Sequence, residues 1–391
     1  MRNYILLFFS SIVFTGCQQN SNNYFATSCN NGTIPSRHAN ISFDLKPAYN
    51  LPLDDSTVVD PFTPIQYVAT SNSLIVLDHV FQRLVFFDLN NQKRYQCINI
   101  KDANLKNIKA SAFKYNSPDS ILLYSRNKQT FYVINHTGKI YIEKNFIKPA
   151  SHTSYATNPN PFVATFSGMY FNKNEIISTG FTMGENTQVL AGNRLVKIST
   201  ELANDESSFA VKYPQIYDAA NWGGSYYRVF YTTNYNDTLL ISFPAEHRLM
   251  MVDKNNNVTY HNGTYPKSFC INSMNIPIDS MYKKGFEDLI DDHYAANFSY
   301  RNIIYLPKYK LYVRVLELPL KKSQLHKKLE AEKQPLLLFF DNKFNYLTNY
   351  QLPLNCSLNN YFITDKGIYF LNKLNKNENL AQYSLLQITV N

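Results

Sequence analysis

The residues best suited to a definite chemistry lie near the start of the chain. Phe14-Thr15-Gly16-Cys17 closes an apolar run, Tyr4 to Val13, that follows the basic Arg2. A positive start, roughly ten apolar residues and small residues before a cut describe a secretory signal, because a membrane-spanning helix needs about twenty. Thr15 and Gly16 let a peptidase approach the backbone, and the Cys17 thiol can carry a thioether-linked lipid. The expected product is a lipoprotein held in a membrane by acyl chains such as palmitate, each buried methylene contributing about 0.8 kcal/mol.

Two further clusters carry chemistry-bearing side chains. Glu287-Asp288-Leu289-Ile290-Asp291-Asp292-His293 is the one dense carboxylate cluster with a histidine. On a helix Glu287 and Asp291 share a face, as do Asp288 and Asp292, and oxygens so placed suit a hard cation. The spacing and turn glycine of a calcium loop are missing, so the segment reads as a solvated connector helix with Leu289 and Ile290 turned inward. No metal or cofactor is expected. Ala219 to Arg228 contains the single tryptophan, Trp222, and the only Gly-Gly pair, followed by Tyr226, Tyr227 and Arg228. Read as a strand, this segment alternates its side chains between two surfaces. Trp222, Tyr226 and Arg228 are the candidate ligand contacts, on a sugar ring or a protein partner, with core packing of Trp222 as the competing reading. Gly-x-Ser-x-Gly, His-Glu-x-x-His and phosphate-cradling glycine loops are absent, and no reaction is assigned.

The elements that must position these residues are strands. Tyr (30) and Phe (27) far outnumber Gly (12), a bias toward pleated, half-buried structure. A unit recurs: an apolar strand, a polar turn, a second strand ending in a polar residue, another turn, a third strand. Ser73 to Asp78, Arg83 to Asp88 and Arg94 to Ile100 form the clearest copy, with echoes at 119–144, 174–198, 237–261, 310–352 and 366–390. Six copies able to make three or four antiparallel strands each describe the blades of one β-propeller, with seven allowed by the long 151–236 stretch. The isolated early strand Asn40 to Leu45 is expected to complete the last blade and close the ring. Residues 1–16 read as signal peptide, 17–40 as lipidated cysteine and flexible tether, and 41–391 as propeller. Leu320 to Lys333 carries helical spacing and is expected to form a surface helix inside one blade.

Charge and cysteines bound the surroundings. An exported protein with a net charge of +9 seldom meets nucleic acid, and anionic headgroups, lipopolysaccharide phosphates or acidic glycans are its expected neighbours; because the charge is spread rather than clustered, it also reads as a mildly basic solvated surface. Beyond Cys17, Cys29, Cys97, Cys270 and Cys356 lack metal or redox spacing, and four cysteines leave three pairings open.

The lipidation site, the polar tether and strand pairs of the Leu74-Ile75-Val76-Leu77-Asp78 and Leu84-Val85-Phe86-Phe87-Asp88 type resemble the exported Bacteroidetes lipoproteins that carry domain of unknown function 4221. Ser299 to Arg314 is similar to that family's extended strand, turn and Tyr-Tyr-Arg ending, with Val313 in place of the second Tyr. The resemblance implies a six- or seven-bladed envelope propeller and no established activity. It also brings in the Asp-Ser/Thr-apolar triplet of O-glycosylated envelope proteins from that phylum, matched at Ser120, Thr238 and Ser280, although the same pattern is ordinary turn chemistry. Gln18-Gln19-Asn20 lacks the acidic run that resembles a surface-export signal, favouring a periplasm-facing anchor on the outer membrane. The expected role is a protein-binding or scaffolding module, with a glycan-binding or glycan-active protein as the alternative.

Overall fold

The computed structural model describes residues 25–32, 40–55, 57–100, 108–145, 160–172, 175–181, 195–199, 207–218, 220–235, 238–276, 285–327 and 332–390. Continuous apolar runs become the middle strands of antiparallel sheets. Ser73–Asp78, Leu311–Glu317 and Pro335–Phe340 are buried at every position, which requires another sheet on each face. The last strands, such as Lys93–Asn99 and Val258–Asn262, are mostly exposed and polar.

Five sheets are four-stranded blades of a β-propeller, spanning residues 65–99, 112–145, 231–262, 299–351 and 356–390. The first four follow chain order across the sheet. The 356–390 blade takes its fourth strand from Ile41–Pro52, which pairs antiparallel with Leu380–Val390 from Ile41 opposite Val390 to Pro52 opposite Leu380. The early strand thus joins the last blade. Six or seven blades are expected from the repeats, whereas five have the regular four-stranded form. Between the second and third of these blades lies a five-stranded sheet, in which the two short strands Asn160–Pro161 and Tyr170–Asn172 both pair with Glu175–Phe181.

Each blade's first strand lies innermost, against its neighbours' first strands. Tyr231–Tyr235 adjoins Ser299–Leu306, and Cys356–Thr364 adjoins Ile65–Val68. Side-chain amides on these strands fasten one sheet to the next. Asn302 donates to the Leu358 carbonyl at 2.6 Å, Asn360 to the Asp60 carbonyl at 3.0 Å, and Gln66 both donates to and accepts from the Tyr115 backbone at 2.8 Å.

Arg314, expected only as the end of an extended strand, is the strongest of these fasteners. Fully buried, it donates to Ser242 Oγ and to the carbonyls of His247, Gly263, Phe243 and Glu246 at 2.6 to 3.2 Å, with its guanidinium 3.6 Å from the Tyr300 ring centre. Burial pushes its pKa down to about 10.

Turn chemistry repeats with the blades. After the third strand an Asp or Asn side chain accepts from the backbone two and four residues on: Asp253 from Asn255 and Asn257, Asp341 from Lys343 and Asn345, Asn135 from Thr137 and Lys139.

Three expectations are corrected. The tether over 17–40 is interrupted by a strand, Thr27–Asn30, paired with Phe269–Asn272. Cys29 lies opposite Cys270 in that ribbon and is disulfide-bonded to it, while Cys97 and Cys356 are free. Local polarity argued for disorder, but a distant covalent partner overrides it. The surface helix expected over Leu320 to Lys333 is present in the described residues as the short 3-10 helix Lys322–Lys327, between the second and third strands of the 299–351 blade, but Lys333 is buried rather than on the surface. Tyr226 and Tyr227 lie on a helical turn, Ser225–Arg228, not a strand, because Gly223 and Gly224 take positive φ (91° and 63°) and redirect the chain just before it.

Candidate functional site

One pocket, about 460 Å³, opens at the end of the propeller where the first strands begin. Its wall comes from the helix Glu287–Ala296, the 299–351 and 356–390 blades, and the Pro61-Phe62 loop that leads into the 65–99 blade. The floor is ionic. Glu317, at the end of a buried strand, accepts from Arg301 Nη1 at 2.8 Å, from Ser299 Oγ at 3.0 Å and from the Tyr294 hydroxyl. Lys333 donates to Ser299 Oγ at 2.9 Å and to the Tyr294 carbonyl at 3.1 Å, and its ammonium lies 4.0 Å from the Tyr294 ring centre. Arg301 also reaches across the seam between blades to Asn359 Oδ1 at 2.6 Å.

The electrostatics follow from burial and from these contacts. Burial pushes Lys333 down to about 7, opposed by the Glu317 charge. Burial alone would raise Glu317, but the Arg301 and Lys333 charges and the hydrogen bonds hold it below the usual carboxylate range. Burial, with Glu317 beside it, drives the Tyr294 hydroxyl well above its ordinary value. Glu317 is therefore held in its ionised form, with three donors on its two oxygens, an arrangement suited to a structural ion-pair centre. Arg301 Nε is buried without a partner.

Above the floor stands an aromatic and apolar rim. Tyr226 stacks on Tyr294 with centroids 4.1 Å apart and planes 6° apart, and its hydroxyl donates to Asp291 Oδ1 at 3.0 Å. Phe62 is 76% exposed and Leu354 40%.

The comparisons bear on the family and the fold. A model described as "Domain of unknown function (DUF4221)" matches residues 106–349, most of the chain. The chain belongs to the DUF4221 family. A DUF4221 member from Bacteroides vulgatus has a similar structure, with TM-score 0.73 and 16% identity over 91% of this chain and 100% of that one. A putative exported protein from Bacteroides fragilis is also similar, at TM-score 0.55 and 11% identity over 91% of this chain and 98% of that one. No curated protein matches the sequence.

Of the ligand contacts expected from the sequence, only Tyr226 reaches this DUF4221 pocket with a described side chain. Trp222 is 4% exposed and its indole N–H donates to the Ile216 carbonyl at 3.0 Å, so it is core and cannot stack on a ligand. Tyr227 is fully buried and donates to the Phe298 carbonyl at 2.8 Å. The Arg228 side chain, Cys17 and Ser280 lie outside the described residues. The acidic segment forms the expected helix, but Leu289 is 48% exposed and only Ile290 of the pair is half-buried, lying beside Gly224. His293 sits under Gly223, its Nε2 buried without a partner, and burial pushes it down to about 4. Ser120 and Thr238 each begin the second strand of a blade, at the opposite end from the pocket. No sequence motif marks Arg301, Glu317, Lys333 or Phe62. The signal available for Glu317 was a carboxylate ending Leu311–Glu317, a strand that is apolar or aromatic except for Arg314.

Proposed function

We propose that this DUF4221 protein is a lipid-anchored envelope propeller that binds a protein partner through the pocket around Tyr226, Phe62 and Arg301. The observation that carries the reading is the pairing of an exposed aromatic and apolar rim with a buried, charge-paired floor. Aromatic and arginine side chains around a desolvated centre are the composition of interaction hot spots. A floor whose carboxylate already accepts three hydrogen bonds gives the pocket a fixed shape.

The finer architecture belongs to the same reading. The five-stranded sheet takes the place of a sixth blade, since its residues and those of the five regular blades line one common channel. Cys17 carries the acyl anchor on the periplasmic side of the outer membrane, and the Cys29–Cys270 disulfide supports an oxidising compartment. Ser120, Thr238 and Ser280 are the O-glycosylation acceptors; glycans on the first two would leave the pocket clear.

The test is crosslinking of the full-length lipidated protein in its own envelope, followed by mass spectrometry, with Phe62→Ala/Tyr226→Ala compared in parallel. One stoichiometric protein partner lost in the double variant is the expected result. Retained carbohydrate without a protein partner would replace this reading with glycan binding, for which the stacked Tyr226–Tyr294 platform beside Asp291 is suited. Cys17→Ala should release the protein to the soluble fraction.

A further inference from the structure

A second site lies on the propeller axis, away from the rim pocket. The channel encloses about 290 Å³, and its lining includes Gln66, Lys114, Thr233 and Tyr361 from the blades' first strands, with Thr165 and Tyr170 from the segment of the five-stranded sheet. Among the described residues Lys114 is the one charged side chain on that lining. Among the described residues no carboxylate pairs with it, and burial is the sole influence on its pKa, which it lowers. Its neighbours are neutral. The Gln66 amide is committed to the Tyr115 backbone in both directions, and the Tyr170 and Thr232 hydroxyls face each other at 3.5 Å.

Lys114 is half-buried, and an ammonium partly withdrawn from water without a counter-charge is less well solvated, a cost that an anion entering the same space reduces. Hydroxyl and amide groups such as those of Thr165, Thr233 and Asn234 supply further donors for it. We infer that the axial channel binds a small oxyanion, a carboxylate or a phosphate, at Lys114. The volume sits at the bottom of the range for small-molecule pockets, which restricts the ligand to a few non-hydrogen atoms. Access is provided at the hairpin end. There the channel shares Tyr67, Thr233, Asn234 and Ile363 with a wider depression of about 530 Å³, on which both Asp365 and Lys366 are placed, so the entrance is close to neutral and the anion's selectivity rests on Lys114.

The experiment is calorimetric titration of the full-length lipidated protein in detergent at constant ionic strength, with inorganic phosphate in one arm and acetate or succinate in the other. Saturable one-to-one binding in at least one arm is expected, with a raised thermal midpoint. A response to phosphate alone assigns phosphate, and a response to the acids alone assigns an organic carboxylate. Lys114→Met should weaken binding at least tenfold and, without anion, melt no lower than the unmodified chain, because an unpaired, half-buried charge is gone. Lys114→Arg should retain binding, and Lys114→Gln serves as the second neutral variant should the Met chain fold poorly. Absence of saturable binding in both arms, or full binding by both neutral variants, overturns the inference. The Phe62→Ala/Tyr226→Ala protein should bind the anion normally, which separates this site from the rim pocket.

Discussion

Replacing Arg314 tests whether one buried cation holds two blades together. Its five hydrogen bonds end on four carbonyls and one hydroxyl of the 231–262 blade and the loop after it. Arg314→Met orphans four of the acceptors, since the Phe243 carbonyl also accepts from the Glu246 N–H at 3.4 Å, and a buried polar group left without a partner costs about 1–3 kcal/mol. The gross loss of roughly 4–12 kcal/mol is reduced by several kcal/mol, because the variant no longer desolvates a guanidinium. A net loss of about 3–5 kcal/mol is expected, a large share of a total stability of about 5–15 kcal/mol. Arg314→Lys has three donors for five acceptors and should lose about 2–4 kcal/mol, since an ammonium cannot reproduce the planar fork. Trp222, the only tryptophan and 4% exposed, lies in the same hydrophobic cluster as Leu249 and Tyr300. Its fluorescence therefore reports this seam directly in equilibrium urea unfolding. Lys46→Met, which removes an exposed pair with Asp44, is the control and should be indistinguishable from the parent. If Arg314→Met unfolds within about 1 kcal/mol of the parent, the seam does not depend on these bonds and the reasoning fails.

The disulfide joins residues 241 apart in sequence, so chain entropy sets an upper limit near 5 kcal/mol for its contribution. Reduction should lower the urea midpoint by an amount equivalent to about 2–5 kcal/mol, and an unchanged midpoint would show that the Thr27–Asn30 ribbon adds nothing. His247 donates through Nε2 to the Ser28 carbonyl and accepts at Nδ1 from the Tyr300 hydroxyl; burial, with Arg314 nearby, pushes it down to about 4. A histidine held below its usual value of about 6.5 binds its proton in the unfolded chain first, so its stabilising share is complete above about pH 6.5 and is lost as pH falls towards 4. Unfolding free energies measured across that window should decline more steeply for the parent than for His247→Gln, and parallel curves would remove His247 as the cause. Gly223 has φ of 91°, and a Cβ there would stand 2.9 Å from His293 Cδ2. Gly223→Ala should therefore destabilise by about 1–3 kcal/mol, read by the same fluorescence assay, and a neutral result would mean that the turn adapts freely.

The parts of this molecule legible in its sequence are those governed by neighbours along the chain. Ser73–Asp78 and Arg83–Asp88 announce buried strands because each is an unbroken apolar run, and Asp253 and Asp341 announce turns because they bond residues two and four positions away. Even the closing strand could be placed, since a last blade short of one strand leaves one unpaired partner. The rim pocket was illegible for the opposite reason. Arg301, Glu317 and Lys333 come from three separate strand ends, and nothing local requires them to meet. Trp222 and Tyr226 show the same limit at short range. A positive-φ glycine pair decides which aromatic turns inward, and the residue types alone are equally suited to either place.

The seam contacts also explain why the pocket can be preformed. Arg301 belongs to one blade and bonds Asn359 of the next, so any sliding of those blades separates a charge from its acceptor at the pocket floor. Asn302, the following residue, holds the same seam through the Leu358 carbonyl, and Asn360 holds the next seam at Asp60 beside the Phe62 loop. The ring that these bonds span is closed by Ile41–Pro52 along the full length of Leu380–Val390. Opening the ring means breaking that ladder as a unit, which is far costlier than losing any single seam bond. Rim residues of three blades are thereby held at fixed separation. A partner of the kind proposed would therefore order little of the propeller on binding, and more of its contact energy would appear as affinity.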